Sequence, residues 1–106
     1  MSQGSRIQVD LSGQTAIVTG ASRGSGKAVA LRLAECGAKT ALVARSADKL
    51  EEVAAQIRDA GGDAAVYPGD VTDSETVSKT VESVVEAWGQ LDILVNNAGI
   101  TRDTLL

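Results

Sequence analysis

Apolar and polar positions change period several times along this chain, and each change marks the end of one element. Residues 14–19, Q-T-A-I-V-T, are a short apolar and β-branched run closed by Gly20, which predicts a strand covered on both faces. After a glycine-rich turn the period becomes helical over 25–36. There Val29, Ala30, Leu33 and Ala34 recur at helical spacing, and Gly37 stands where a helix end takes a left-handed residue. The pattern then repeats. Residues 39–44 read as a second strand, and Leu50, Val53, Ala54 and Ile57 make one helical stripe behind Ser46 as candidate N-cap, with Gly61 and Gly62 ending it. Residues 63–67 form a third, less apolar strand that Pro68 closes. Thr72 and Glu75 fit a capping box ahead of a helix whose buried face is Val77, Val81, Val84, Val85 and Trp88. Beyond Gly89 the run L-D-I-L-V, 91–95, is a fourth strand. Strands alternating with helices require right-handed crossovers and a parallel sheet, so the predicted fold class is α/β.

Composition narrows the chemistry. The chain has 106 residues, 43% hydrophobic and 23% charged, with a formal net charge of −4. These values set a single globular domain with a packed core as the expectation. There is no Phe, and Tyr67 and Trp88 are the aromatic residues, so the elements must pack closely on small side chains. The absence of His removes the usual general base, the His-containing triads and imidazole metal sites. Cys36, the lone cysteine, permits neither an intrachain disulfide nor a zinc cluster and reads as inert packing. With the acidic balance it points to a reducing, cytoplasmic setting. The same balance argues against nucleic acid as a partner. No apolar run approaches membrane-spanning length, and the polar start of the chain lacks the apolar block of a signal peptide. Residues 1–12 are expected to form a loosely held arm, 13–99 the folded unit, and 100–106 the opening of an unfinished element.

The segment T-G-A-S-R-G-S-G, residues 19–26, places Gly20, Gly24 and Gly26 between a strand and a helix. Such a turn lets backbone approach a ligand closely, and the helix N-terminus offers free N–H groups to a phosphate. A tight turn that only permits packing is the plainer alternative. Two nucleotide motifs can be set aside. A P-loop would need Gly and Ser or Thr where Ala21 and Ala28 stand, and the standard dinucleotide fingerprint started at Gly24 meets Val29 in place of its last Gly or Ala. The spacing that fits, G-x-x-x-G-x-G, resembles the cofactor loop of the short-chain dehydrogenase/reductase family. Asn96, Asn97, Ala98 and Gly99 resemble that family's N-N-A-G motif. The stretch L-V-N-N-A-G-I-T-R-D-T-L-L is most similar to bacterial 3-oxoacyl-acyl-carrier-protein reductases. The resemblance runs from about Leu11 to the last residue. It departs at Ser25, where the family usually has Ile or Leu, and a hydroxyl there is expected to weaken helix-on-sheet packing.

The resemblance implies a Rossmann-type doubly wound sheet, its N-terminal half only, with strand order 3-2-1-4. It also implies NADP(H) as the cofactor. Gly20, Ser22 and Arg23 would meet its adenosine and phosphate part, while Gly24, Ser25 and Gly26 would line the pyrophosphate turn. Arg45 follows the second strand, where NAD-preferring relatives carry an Asp. With Arg23 it would hold a 2′-phosphate through charge-assisted hydrogen bonds. Surface arginines without a ligand are the alternative, and Asp48, the nearest acidic residue, falls inside a predicted helix. Asp70 and Val71 resemble the pair that borders the adenine, and a solvated turn is the competing reading of Asp70. Asn97, Ala98 and Gly99 would flank the topological switch point.

In this family hydride transfer uses a Tyr, a Lys four residues later and a Ser. Tyr67 is followed by Pro68, and Val71 stands four residues on, so it is not that Tyr. No catalytic residue is therefore expected in these residues. They imply the cofactor half of a reductase that would act on a β-ketoacyl thioester of acyl-carrier protein in fatty-acid synthesis, and inactivity of the chain by itself. A noncatalytic nucleotide-binding or complementation fragment is the first alternative, and a fold for another nucleotide ligand such as S-adenosylmethionine the second. The apolar fourth strand is expected to drive self-association or pairing with a C-terminal half.

Overall fold

Thr15, Ala16, Ile17, Val18 and Thr19 are all buried, as expected of a strand with helices on both sides. In the computed structural model, which describes residues 9–97, these residues form β1 (Thr15–Thr19). It is followed by α1 (Gly24–Glu35), β2 (Lys39–Ala44), α2 (Ala47–Asp59), β3 (Ala64–Pro68), α3 (Ser74–Trp88) and β4 (Ile93–Asn96). The four strands are parallel and lie in the order β3-β2-β1-β4. Ile17 is level with Ala41 on one side and Leu94 on the other.

Alternation along the central strands divides the core in two. Val18 and Leu42 point to the face covered by α1 and α2, where Ala30, Leu50, Val53, Ala54 and Ile57 close over them. Ile17, Ala41 and Val43 point to the opposite face and meet Val84 of α3, with Val81, Trp88 and Tyr67 half-buried around them. Val85, expected on the buried face of α3, is exposed instead. One residue turns a helix by about 100°, so a stripe centred on Val84 leaves its neighbour outside.

Several boundaries differ from those expected, each for a local reason. Regular β4 pairing starts at Ile93 rather than Leu91. The Asp92 carboxylate accepts the Thr15 N–H at 2.9 Å, which occupies the place of a ladder carbonyl, and the Asp92 N–H donates to the Thr15 carbonyl. Leu91 turns toward the α3-side core. Pro68 belongs to β3 as its last residue. The following Gly69 N–H supplies the bond to the Ala44 carbonyl, so the missing proline donor goes unneeded. Ser46 caps α2 as expected, accepting from the Lys49 N–H. The cap of α3 is Asp73, which accepts from the Glu75 N–H. Thr72 is drawn upstream into a turn with Asp70, so the expected Thr72 capping box does not form.

Candidate functional site

A parallel sheet of this order reverses direction at β1, and the helices that leave on opposite faces open a crevice at the carboxyl ends of the strands. A cavity of about 440 Å³ lies along that rim. The β1–α1 turn contributes Gly20, Ser22, Arg23, Gly24 and Ser25 to its wall. The N-cap of α1 is Arg23, in extended conformation and making no side-chain cap bond, and the first turn holds no acidic residue. The positive end of the helix is thus not neutralised by a side chain of its own cap or first turn. Gly24 has φ 60°, a conformation strained for residues with a Cβ. Gly26 lies beneath the turn. An added Cβ there would collide with the Gly20 carbonyl oxygen and stand 2.9 Å from Asn97 Nδ2, so only glycine lets α1 come this close to the rim.

The far wall comes from the ends of β2 and β3. The Arg45 side chain is 78% exposed, and its guanidinium is 3.8 Å from an Asp70 carboxylate oxygen. The other oxygen, Oδ1, accepts from the Thr72 hydroxyl at 2.7 Å and the Thr72 N–H at 2.9 Å. These two bonds, the hydroxyl foremost, hold the Asp70 carboxyl below the usual carboxylate range, with Arg45 adding a weaker pull in the same direction. Val71 faces the cavity while also packing against the α3-side core.

At the other end β4 delivers Asn97. Its backbone N–H donates to the Thr19 hydroxyl at 2.8 Å, and that hydroxyl lies 3.0 Å from Asn96 Oδ1, to which it donates. The Asn97 carboxamide rests against Ser25, whose Oγ is 3.3 Å from Oδ1 and 3.2 Å from Nδ2.

The expected residues of the glycine turn therefore meet Arg45, Asp70, Val71 and Asn97 around one cavity, with Gly26 supporting it from below. Ala98 and Gly99 lie outside the described residues. Ser25 corrects an expectation. It is exposed on the cavity wall and bonded to Asn97, so its hydroxyl is not set into the helix–sheet contact. Sequence reasoning misses Thr72 as a wall residue, along with Ala44 and Gly69. For Thr72 a signal exists in the D-V-T spacing, since Asp bonds readily to the backbone two residues on. Tyr67 packs against the α3-side core. Among the described residues no three potential metal ligands gather, and no helix is long and apolar enough to cross a membrane. The site offers free N–H groups and two arginines on its wall to an anion.

The family model of short chain dehydrogenases matches residues 14–106. The chain belongs to this family. Among short chain dehydrogenase relatives, the 3-oxoacyl-[acyl-carrier-protein] reductase FabG of Staphylococcus aureus is 47% identical over 94 residues, covering 88% of this chain and 38% of that protein. The 11-beta-hydroxysteroid dehydrogenase-like 2 of Arabidopsis thaliana is 42% identical over 97 residues, covering 91% of this chain and 32% of that protein. A solved metagenomic short-chain oxidoreductase in complex with NADP matches at a TM-score of 0.80 and 46% identity, covering 85% of this chain and 41% of that one. The chain thus spans 32–41% of the length of these relatives. Proteins named for different substrates match it at similar identity, so this region carries the shared part of the family.

Proposed function

We propose that the chain forms the NADPH-binding half of a short-chain reductase, of the type that reduces a β-ketoacyl thioester on acyl-carrier protein. The observation that carries this is the placement of Arg45, at the end of β2, on the same cavity as Arg23 and the uncapped N-terminus of α1. A carboxylate at the end of β2 would repel a 2′-phosphate, whereas a guanidinium attracts it. The groove above Gly26 gives a dinucleotide's phosphates close access to backbone. When bound, the nicotinamide supplies the hydride; the residues around the cavity bind and orient the dinucleotide. Tyr67 has no Lys four residues on, so these 106 residues do not provide the acid–base groups.

Titration with NADPH and NADH tests the proposal. NADPH should bind more tightly, and replacing Arg45 and Arg23 together by Ala should weaken NADPH by about tenfold or more while changing NADH little, as for hydrogen bonds to charged groups. Because Arg45 is exposed, the preference should shrink with added salt. Equal affinity for both cofactors overturns the assignment. The 106 residues assayed alone should not oxidise NADPH with a β-ketoacyl thioester, since positioned acid–base groups are worth roughly 10²–10⁴-fold; steady turnover would show that such groups exist here after all. We further propose that β4, an edge of the described sheet with Leu94 exposed, pairs with a second copy or a C-terminal half. Sedimentation across a hundredfold concentration range should show association, and a compact monomer throughout contradicts it.

A further inference from the structure

The cavity has two unlike ends. Among the described residues, charges stand at the β2–β3 end, Arg45 and Asp70, whereas a hydroxyl and a carboxamide, Ser25 and Asn97, stand at the β4 end. Seventy-two residues separate these two in sequence, yet their contact joins the first turn of α1 to the end of β4. Ser25 Oγ is almost equidistant from Asn97 Oδ1 and Nδ2, at 3.3 and 3.2 Å. A hydroxyl can donate to the first or accept from the second. Either arrangement leaves the carboxamide with a group to spare: a free N–H for an anion in one case, a free carbonyl for a sugar hydroxyl in the other. The backbone of Asn97 is already fixed by its bond to Thr19, and Gly26 leaves room for the carboxamide. What remains to be fixed is the rotation of the side chain, and among the described residues Ser25 is the side chain hydrogen-bonded to it.

We propose that Ser25 is a positioning residue that orients the Asn97 carboxamide toward the part of a bound dinucleotide beyond its phosphates, away from the adenosine end at Arg45. This rests on the dinucleotide reading of the cavity. The test measures affinity for NADPH and for 2′,5′-ADP, which lacks everything beyond the first phosphate, using the chain in its longest expressed form. It compares the unchanged protein with Ser25→Ala and Ser25→Thr. Ser25→Ala should weaken NADPH by about three- to tenfold, the effect of losing one hydrogen bond, and leave 2′,5′-ADP within about twofold. Ser25→Thr should restore NADPH affinity. In the ligand-free protein the two side-chain amide proton resonances of Asn97 should shift in Ser25→Ala and return in Ser25→Thr. Unchanged NADPH affinity or unmoved Asn97 resonances in Ser25→Ala overturn the proposal, as does an equal loss for both ligands, which would mean a general disturbance of the turn. Failure of 2′,5′-ADP to bind the unchanged protein is a different result: it removes the dinucleotide reading itself.

Discussion

On the face covered by α1 and α2, Leu50, Val53, Ala54 and Ile57 close over Val18 and Leu42 until none keeps more than 2% of its surface, while on the other face α3 buries Val84 against Ile17, Ala41 and Val43 and leaves Val85 41% and Leu94 53% exposed. Both faces are apolar, and the difference lies in the cover. Two adjacent helices interlock over the first face, whereas α3 lays one stripe across the second. Patterning along a strand therefore shows which residues face a layer. Ile17, Ala41 and Val43 at the middle of the sheet are as buried under α3 as Val18 and Leu42 are under two helices, and the single helix leaves the margin of its face, at Leu94 of β4, open to water.

The largest expected effect of this contrast is on stability. Leu42→Ala should destabilise by about 2–5 kcal/mol, the usual range for a fully buried leucine truncated to Ala. Leu94→Ala, with half its surface already in water, should stay within about 0.5 kcal/mol. Denaturant midpoints at constant slope make the comparison, and similar losses for both would show that the second face is covered in solution. A smaller effect separates the two helix caps. Ser46→Ala and Asp73→Ala should each cost about 1 kcal/mol at their own helix. If α2 is locked into the fuller core, the first loss should appear in global unfolding. The second should appear mainly as faster amide exchange within α3. Uniform exchange changes in both variants would break the contrast.

Much of this architecture is legible in the order of residues alone. The first two strand–helix repeats follow from the change of period at Gly20 and Gly37, and the turn at residues 19–26 follows from its glycine spacing. Less legible are the places where a side chain replaces backbone or where several residues compete for one role. In the segment D-V-T-D-S, residues 70–74, three side chains ahead of the helix can cap it. Asp73 prevails because Asp70 has already engaged Thr72. Asp92 bonding the Thr15 N–H shifts the start of β4 in the same way. Ser25 shows a third case: its position in the turn is local information, but its partner Asn97 arrives from the far end of the described chain.

The smallest expected effect lies at the rim. Thr72 favours the ionised form of Asp70, so the folded protein holds this carboxyl below the value it has when unfolded. The associated stability is complete at neutral pH, and it is lost as pH falls below the ordinary carboxylate range and through the lowered value. An NMR titration should find Asp70 below that range, and Thr72→Val should bring it back up. An ordinary value in the unchanged protein would contradict the hydrogen-bonded turn.

β1 sits in the interior of the sheet although it is the first of the described strands to be made, and its bond partner Asp92 lies 77 residues later. At synthesis rates of about 5–20 residues per second, roughly 4–15 s pass between the two. During that interval β1 can pair with β2 but has one edge with no strand of its own to receive it. Among the described residues of the cavity, the Asn97 end is therefore the last to be assembled on the ribosome, and through that wait the α1 turn is held by its glycine geometry, its packing and the bond from the Ala21 N–H to the Val43 carbonyl.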